Sequence, residues 1–246
     1  MYDALGDYFK HEYARLSFTF QAKYLGMSPW ECPAAFSMVP YVEHFFGIYH
    51  IRGGLSETAV AMARAIEEDG GKIHYNSPVK ELILEGKKVI GVELATGEKI
   101  LADRVIVNAD FSYAMNNLLP VGTLKKYTPA KFKKLKYSCS IFMMYLGVNK
   151  KFDLKHHSIA FADDYRKNVK DIFGGQLTEK DFSVYLRDAS AVDPTLAPAG
   201  KSALYVLVPV PNNRAGIDWS EKAPLIRDQV LEILEKKLGL IVHPTR

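Results

Sequence analysis

The segment spanning residues 55–110 constrains the fold more than any other part of the chain. It opens with LSETAVAMARAIEEDGG, in which apolar residues recur at helical spacing. Ser56 or Glu57 marks the start of this pattern, and Gly70-Gly71 marks its end. This pattern predicts a helix. The next stretch, KIHYNSPVKELILEGKKVIGVELATGEKILADRVIVNAD, is divided by turn residues and predicts four or five short strands.

Two features of these strands are informative. Residues 79–84 and 89–94 flank the turn Glu85-Gly86-Lys87 and predict a hairpin. Residues 104–108 contain the apolar run VIV, which is typical of a strand buried on both faces, as in a parallel sheet covered by helices. The segment therefore predicts a mixed fold of helices and strands, an α/β (α+β) class.

The rest of the chain contains both kinds of element. Residues 1–46 are rich in aromatic residues and predict a helix, a turn and a second helix. Residues 111–136 have a helical and basic pattern. Four later segments, SCSIFMMYLGVNKKF, HHSIAFADD, DFSVYLRDAS and KSALYVLVPVP, predict one antiparallel sheet. A last helix is predicted from an N-cap at Ser220 to a stop at Gly239.

Composition and charge exclude several classes of protein. The 246 residues are 48% hydrophobic and 24% charged, which excludes disordered, collagenous and disulfide-scaffold chains. No run approaches the roughly 18 apolar residues of a membrane-spanning helix, and the first residues lack a secretory signal pattern, so we expect a cytoplasmic location. The net charge of +4 gives no reason to expect a nucleic-acid partner.

Lysines cluster in one short segment. Six of the twelve residues from 125 to 136 are lysine, interleaved with aromatic and aliphatic residues. The lysines are Lys125, Lys126, Lys131, Lys133, Lys134 and Lys136. Two interpretations remain open: a solvated helix face, or peripheral contact with anionic lipid headgroups.

Motifs of hydrolases and metal sites are absent from the sequence: it contains no G-x-S-x-G, H-E-x-x-H or C-x-x-C. His156-His157 precedes a strand in a polar turn and predicts a surface loop, and Cys32 and Cys139 indicate neither a disulfide nor a metal site. Asp163-Asp164 and the carboxylates of residues 188–193 lie at strand ends or turns, where we expect solvated side chains. We therefore expect no metal, and no catalytic acid or base is assigned.

A phosphate-binding loop is also not evident, since the dinucleotide fingerprint G-x-G-x-x-G does not occur. Arg52-Gly53-Gly54 does lie immediately before the first predicted helix of the segment. Two glycines let a backbone approach a ligand closely, and amides at a helix start can bind an anion or a polar ring edge. A tight turn into the helix is the simpler interpretation of the tripeptide alone.

Longer stretches carry a resemblance to a known family. IRGGLSETAVAMARAIEEDGGKIHYNSPVKEL, the hairpin and ADRVIVNAD together resemble the middle of the FAD-dependent phytoene desaturase group, within the flavin amine-oxidase-like superfamily. The upstream LSFTFQAKYLGMSPWECPAAFSMVPYVEHFFGIYHIRGG is similar to the carotenoid desaturases. The resemblance is good over residues 1–112 and looser to about residue 240.

The resemblance implies a fold with two interleaved parts. One is a portion of a Rossmann-like FAD/NAD(P)-binding domain, and the other is a substrate domain of antiparallel sheet and helices. The implied divisions are residues 1–46 as the helical part of the substrate domain, 47–112 as part of the FAD-binding domain, 113–240 as the substrate domain with its sheet, and 241–246 as a truncated tail.

The resemblance also implies FAD as cofactor and assigns site residues. Arg52, Gly53 and Gly54 would lie near the flavin, the backbone of Val79 would meet the adenine, and Asn108, Ala109 and Asp110 would end a strand beside the dinucleotide. An apolar channel for the substrate would be bordered by Phe18, Phe20, Tyr41, Phe45, Tyr49, Phe142, Met144 and Tyr185.

The implied activity is desaturation or isomerisation of a long apolar isoprenoid such as phytoene, by hydride transfer to the flavin. The family's N-terminal strand-turn-helix, its ribose-binding acid and its C-terminal segment over the flavin have no counterpart in this sequence. We therefore expect a central portion of a longer protein that binds FAD poorly or not at all on its own. A retinoid saturase, an amine oxidase and a non-catalytic prenyl-protein escort module remain alternatives, and the oligomeric state is open.

Overall fold

The chain folds into two compact units, each with its own sheet. In the computed structural model, which describes residues 1–120 and 122–242, the larger unit comprises Met1–Val60 and Tyr137–Arg246 and the smaller unit comprises Ala61–Lys136. The mixture of helices and antiparallel strands confirms the predicted α/β (α+β) class. The predicted domain divisions stay a prediction, and residues 243–246 of the predicted tail lie outside the described residues.

The elements follow one another along the chain as helices, then a small sheet, then a second sheet. The α-helices of the described residues are α1 (Tyr2–Leu5), α2 (Glu12–Ser17), α3 (Met38–Phe46), α4 (Ser56–Glu68), α5 (Phe111–Asn117), α6 (Pro129–Lys133), α7 (Tyr165–Phe173) and α8 (Trp219–Leu238). The strands are β1 (Val79–Glu85), β2 (Lys88–Leu94), β3 (Lys99–Leu101), β4 (Ser140–Val148), β5 (His157–Ala160), β6 (Val184–Asp188) and β7 (Ser202–Val210).

The smaller unit contains an antiparallel sheet in the order β1-β2-β3. β1 and β2 form the predicted hairpin, with Glu85 opposite Lys88 and Gly86 at a φ of +60° in the turn. Gly91 lies within β2, where an added Cβ would be 2.2 Å from the carbonyl oxygen of Ile100. Because only a glycine leaves room for this approach, Gly91 sets how closely β3 can pair with β2.

The strand predicted at residues 104–108 is wrong. A strand needs a neighbour to pair with its backbone groups, and no strand in the described part of the chain pairs with this segment. Val105 and Val107 pack on the buried cluster formed by Leu82 of β1, Ala114 of α5 and Leu118, whereas the side chain of Ile106 is 93% exposed. The apolar run is therefore buried on one face only.

The larger unit is built on a four-stranded sheet in the order β4-β7-β6-β5, in which every neighbouring pair is antiparallel. The longest pairing runs from Ser140 opposite Val210 to Val148 opposite Ser202. The four predicted strand segments therefore do form one antiparallel sheet, as expected from their length and their turn residues.

Helix α8 and the sheet form the main core. Ile226, Val230 and Leu234 of α8 are almost fully buried in one cluster with Val206 and Val208 of β7. The helix ends at Gly239, which has a φ of +66°, as predicted.

The predicted N-cap of α8 at Ser220 is wrong. The carboxylate of Asp218 accepts hydrogen bonds from the Ser220 amide at 2.9 Å and from the Ser220 hydroxyl at 2.6 Å. Ser220 is therefore a donor inside the first turn, and Asp218 is the residue that caps the helix.

The N-terminal residues are more broken than the predicted pair of helices. α1, α2 and α3 are short, and a 3₁₀ segment, Phe20–Leu25, lies between α2 and α3. That segment ends at Gly26, which has a φ of +66°, and an added Cβ there would be 2.2 Å from Cβ of Ser138. Gly26 thus lets the 3₁₀ segment contact the chain just before β4. No helix in the described part of the chain is long and apolar enough to cross a membrane.

Candidate functional site

The larger unit contains a cavity of about 850 Å³ on the sheet face opposite α8. Tyr185, Tyr205 and Leu207 line it, and they alternate along β6 and β7 with residues buried against α8. Side chains of a strand point alternately to its two faces, so one face of the sheet makes the core and the other makes the cavity floor. Phe20 and Tyr24 of the 3₁₀ segment contribute to the wall.

Aromatic rings dominate the floor of this cavity. The ring centroid of Tyr205 lies 5.4 Å from that of Tyr145 and 6.2 Å from that of Tyr185, and both pairs meet edge to face. Phe161 and Tyr165 form another edge-to-face pair at 5.0 Å. Such a lining offers large apolar and π-electron surfaces to a ligand, with few hydrogen-bonding groups.

Lys23 and Arg187 are the charged residues among the described residues that line the cavity. Lys23 lies on the 3₁₀ segment, is half-buried, and lines the cavity with its Nζ 4.6 Å from the ring centroid of Tyr165. Burial lowers the pKa of Lys23 from its ordinary 10.5 to about 8. Burial also raises the pKa of the nearby Cys139 thiol, because a thiolate is poorly solvated there.

A hydrogen-bonded network joins the cavity to the turn before α4. Arg187, which lines the cavity, donates from Nη2 to Nδ1 of His50 at 2.8 Å and from Nε to Nε2 of His156 at 3.0 Å. With Nδ1 accepting, Nε2 of His50 donates to the carboxylate of Asp193 at 3.1 Å. The same carboxylate oxygen accepts the Gly53 amide at 2.7 Å.

The carboxylate of Asp193 is therefore not solvated, and the expectation of solvated side chains at residues 188–193 is wrong. The side chains of Asp188 and Asp193 are almost fully buried. Hydrogen bonds from Thr195, first of all, and from the Gly53 amide hold the pKa of Asp193 far below its ordinary range. Burial lowers the pKa of His156, with a smaller effect of the His157 charge.

The predicted substrate residues are divided among several places. Phe20 and Tyr185 line the large cavity. Phe142 and Met144 lie on the other face of β4, where Phe142 stacks on Trp219 and Met144 joins the core. Since the alternation of β4 sends these two toward α8, Ile141 and Tyr145 occupy the cavity face instead.

The remaining predicted substrate residues lie in the N-terminal part of the larger unit. Phe18 stacks on Phe9 at 4.9 Å, and Tyr41 stacks on Phe45 at 5.3 Å with both rings exposed. Tyr49 lines a separate small cavity near His50 and is 86% exposed. None of Phe18, Tyr41, Phe45 and Tyr49 is among the described residues that line the large cavity.

The predicted cofactor residues fall in both units. Arg52, Gly53 and Gly54 belong to the larger unit. Val79, at the start of the edge strand β1, and the exposed Asn108, Ala109 and Asp110 belong to the smaller one. The carboxylate of Asp110 accepts the Tyr113 amide at 2.8 Å as the N-cap of α5.

Comparison with known proteins identifies the family. The model of the family described as flavin containing amine oxidoreductase matches residues 5–246. The chain belongs to the flavin-containing amine oxidoreductases. This membership implies FAD as the cofactor, as the resemblance noted in the sequence did.

Relatives of this flavin-containing amine oxidoreductase chain include two carotenoid desaturases. It is 54% identical over 240 residues to a 4,4'-diapophytoene desaturase (4,4'-diapolycopene-forming) of Methylomonas sp, covering 98% of this chain and 47% of the relative. It is 39% identical over 228 residues to a zeta-carotene-forming phytoene desaturase of Myxococcus xanthus, covering 92% of this chain and 43% of the relative. The chain thus spans about half the length of these relatives.

A solved structure supports the fold. The crystal structure of an oxidoreductase from Methanosarcina mazei aligns with a TM-score of 0.67 at 20% sequence identity, covering 95% of this chain and 51% of that one.

The glycine turn of this flavin-containing amine oxidoreductase leaves its backbone open to a ligand, as the predicted contact with a flavin requires. Gly54 has a φ of +103°, and an added Cβ would have no neighbour nearer than 3.8 Å, so a planar ring can approach its bare backbone. Arg52 is exposed and offers guanidinium donors to carbonyl or phosphate oxygens. The amide of Gly53 does bind an anion, but that anion is the carboxylate of Asp193.

Proposed function

We propose that this chain is part of an FAD-dependent desaturase whose substrate is a long isoprenoid of the phytoene type. The apolar, aromatic cavity of the larger unit carries this proposal together with the family membership and the names of the relatives. A volume of about 850 Å³ lies within the range of sites for small organic ligands, roughly 300–1,000 Å³.

The charges of the cavity argue against an amine as substrate. Lys23 and Arg187 are cationic and line the cavity, whereas no aspartate or glutamate does so within the described residues. A protonated amine would be repelled by both cations and would find no carboxylate to pair with. The amine-oxidase alternative is therefore less well supported than the isoprenoid alternative.

The cofactor would supply the redox chemistry: a carbon–carbon double bond forms when one allylic carbon gives a hydride to bound flavin and the neighbouring carbon loses a proton. In this proposal the chain's own residues bind and orient. Gly54 and Arg52 would hold the flavin, and the carboxylate of Asp193 fixes their turn by accepting the Gly53 amide. A role of the Val79 backbone and of residues 108–110 in binding the dinucleotide is what the family resemblance implies.

We further propose peripheral membrane contact through the lysine-rich segment. Lys125, Lys126, Lys131 and Lys134 have exposed side chains. The apolar substrate would be delivered from a bilayer, and exposed lysines attract anionic headgroups. Co-sedimentation with vesicles of phosphatidylglycerol, but not of phosphatidylcholine, tests this. Equal binding to both vesicles, or to neither, would contradict it.

A chimaera tests the desaturase proposal. Residues 5–240 replace the matching segment of the Methylomonas relative, and the purified protein is examined for flavin absorbance and then for conjugated products from diapophytoene. We expect a yellow protein that forms longer polyenes. A colourless protein that cannot be reconstituted with FAD would favour the escort-module alternative. A yellow protein that only oxidises amines would favour the amine-oxidase alternative, and one that only saturates a double bond of a retinoid would favour the retinoid-saturase alternative.

A matched pair of variants connects the activity to the cavity. Leu207→Trp fills the cavity from its floor, whereas Leu225→Trp adds the same bulk at an exposed position of α8. We expect Leu207→Trp to abolish product formation while flavin absorbance is kept, and Leu225→Trp to change neither. Turnover at the normal rate in Leu207→Trp would place the substrate elsewhere.

A further inference from the structure

A chain of hydrogen bonds within the larger unit joins the floor of the large cavity to the glycine turn. Nη2 of Arg187 is 2.8 Å from Nδ1 of His50, and Nε2 of His50 is 3.1 Å from the Asp193 carboxylate. The same carboxylate oxygen accepts the amide of Gly53 at 2.7 Å. Arg187 belongs to β6, whereas His50 and Gly53 precede α4, so these bonds connect two distant parts of the chain.

His50 occupies the one position in this chain of bonds that must both accept and donate. A guanidinium only donates hydrogen bonds, and a carboxylate only accepts them. The neutral imidazole of His50 can accept from Arg187 with Nδ1 and donate to the carboxylate with Nε2. An imidazolium would present two donors and would place a second positive charge beside the guanidinium. The geometry therefore requires the neutral tautomer of His50 that carries its proton on Nε2.

Both neighbours of His50 are themselves held in place. The second carboxylate oxygen of Asp193 accepts the Thr195 amide at 3.1 Å and the Thr195 hydroxyl at 2.6 Å. Nε of Arg187 donates to Nε2 of His156 at 3.0 Å. The side chains of His50 and Asp193 are only 15% and 3% exposed, so little water competes for these bonds. The connection between cavity and turn is therefore a fixed one.

The two ends of this connection are the two regions that a desaturase has to align. Arg187 lines the cavity, and the turn of Gly54 is the predicted contact with the flavin. Hydride transfer needs the reacting atoms close together, and a misplacement of about 1 Å can lower a rate roughly a hundredfold. We propose that His50 is a positioning residue, which aligns the flavin-binding turn with the cavity floor by joining Asp193 to Arg187. This inference rests on the proposed function, because it names a residue that aligns the cofactor and substrate of that reaction.

Three variants of the chimaera test the inference by steady-state kinetics with diapophytoene at saturating FAD. His50→Phe keeps a planar ring but removes the donor and the acceptor, whereas His50→Gln keeps one of each. We expect His50→Phe to lower kcat at least about tenfold, the size of one charge-assisted hydrogen bond, with KM changed by less than about twofold. His50→Gln should recover most of the kcat. His74→Phe, at an exposed position of the smaller unit, should change neither constant.

The alignment explains this split between kcat and KM, because the cavity itself is intact in His50→Phe and still binds the apolar chain. A normal kcat in His50→Phe would overturn the inference. So would a His50→Gln variant as impaired as His50→Phe, because the inference requires a donor and an acceptor at this position rather than an aromatic ring.

Amide hydrogen exchange in the 246-residue chain gives a second readout that needs no flavin. The amide of Gly53 is bonded to Asp193, and the amide of Gly54 is bonded to the Ile51 carbonyl at 2.9 Å. We expect both amides to exchange at least about tenfold faster in His50→Phe, while the amides of α8 keep their parental rates. Unchanged exchange in the turn, or an equal acceleration in α8, would contradict the positioning role.

The two proposals fail in distinguishable ways. A chimaera that forms polyenes equally well with His50 or phenylalanine at this position would refute the positioning role and keep the desaturase proposal. A parent chimaera that forms no polyene would refute the desaturase proposal, and the exchange rates of the turn would then decide whether His50 holds it.

Discussion

Replacing Lys23 by methionine should stabilise the larger unit in the absence of any ligand. The side chains are similar in length, so methionine can occupy the same space beside Tyr165 without a charge. The lowered pKa means that the folded chain binds the Lys23 proton more weakly than the unfolded chain does. Protonation of Lys23 therefore lowers the free energy of unfolding wherever the ammonium is protonated in the folded state.

The magnitude follows from the pKa. A fall from 10.5 to about 8, at roughly 1.4 kcal/mol for each tenfold change in proton affinity, lowers the free energy of unfolding at pH 7 by at most about 3 kcal/mol, since the side chain is only half-buried. Between pH 8 and 10.5 the unfolded chain binds the proton and the folded chain does not, so the stability of the parent rises with pH. Lys23→Met should therefore gain up to about 3 kcal/mol at pH 7 and lose this advantage above pH 10.5.

Urea unfolding followed by tryptophan fluorescence measures the change in the free energy of unfolding of the larger unit. The sequence contains two tryptophans, Trp30 and Trp219, and both belong to the larger unit. Lys201→Met is the control, since its side chain is exposed and should change stability by less than about 0.5 kcal/mol. The reasoning is refuted by a Lys23→Met variant that is no more stable than the parent at pH 7. It is also refuted by a variant whose advantage in stability over the parent is as large above pH 10.5 as at pH 7.

Three further substitutions test the packing. Asp193→Asn should lower the Tm by several degrees, because the carboxylate accepts hydrogen bonds from the glycine turn, His50 and Thr195. Since the pKa of Asp193 is depressed, the difference in Tm between parent and variant should be complete at neutral pH and shrink only below about pH 4. Leu234→Ala should cost about 2–5 kcal/mol in urea unfolding, because the side chain is fully buried under the sheet. Gly91→Ala should disrupt the sheet of the smaller unit, detected as rapid amide hydrogen exchange in β2 and β3.

Each of these substitutions has a matched control. Asp163→Asn alters an exposed carboxylate, Leu225→Ala truncates an exposed leucine of the same helix, and Gly147→Ala adds a methyl where no atom lies within 4 Å. We expect all three controls to resemble the parent. A control that changes as much as its partner would mean that the burial or contact invoked is not the cause.

Local patterns predicted the elements that depend on near neighbours in the chain. The hairpin follows from Gly86 between two alternating apolar runs, and α8 follows from apolar residues at helical spacing that end at Gly239. In both cases the residues that form the structure are also the residues that define the pattern.

The features that the sequence did not predict depend on contacts between residues that are far apart in the chain. The sequence of β4 is apolar on both faces, so it does not reveal that Tyr145 faces the cavity and Phe142 faces α8. The carboxylate of Asp193 meets the amide of Gly53 across 140 positions of sequence, and no local pattern marks that bond. Lys23 likewise reads as one more surface lysine until the fold brings Tyr165 over it.

The end position of β4 in the order β4-β7-β6-β5 bears on how the protein behaves in concentrated solution. Within the described residues its outer backbone groups have no ladder partner, and SIFMMYLGV contains no charge or proline to discourage pairing with another chain. Nine such residues offer a template onto which a second strand can add. Lysine substitution along this strand is thus the first change to make against self-association during purification.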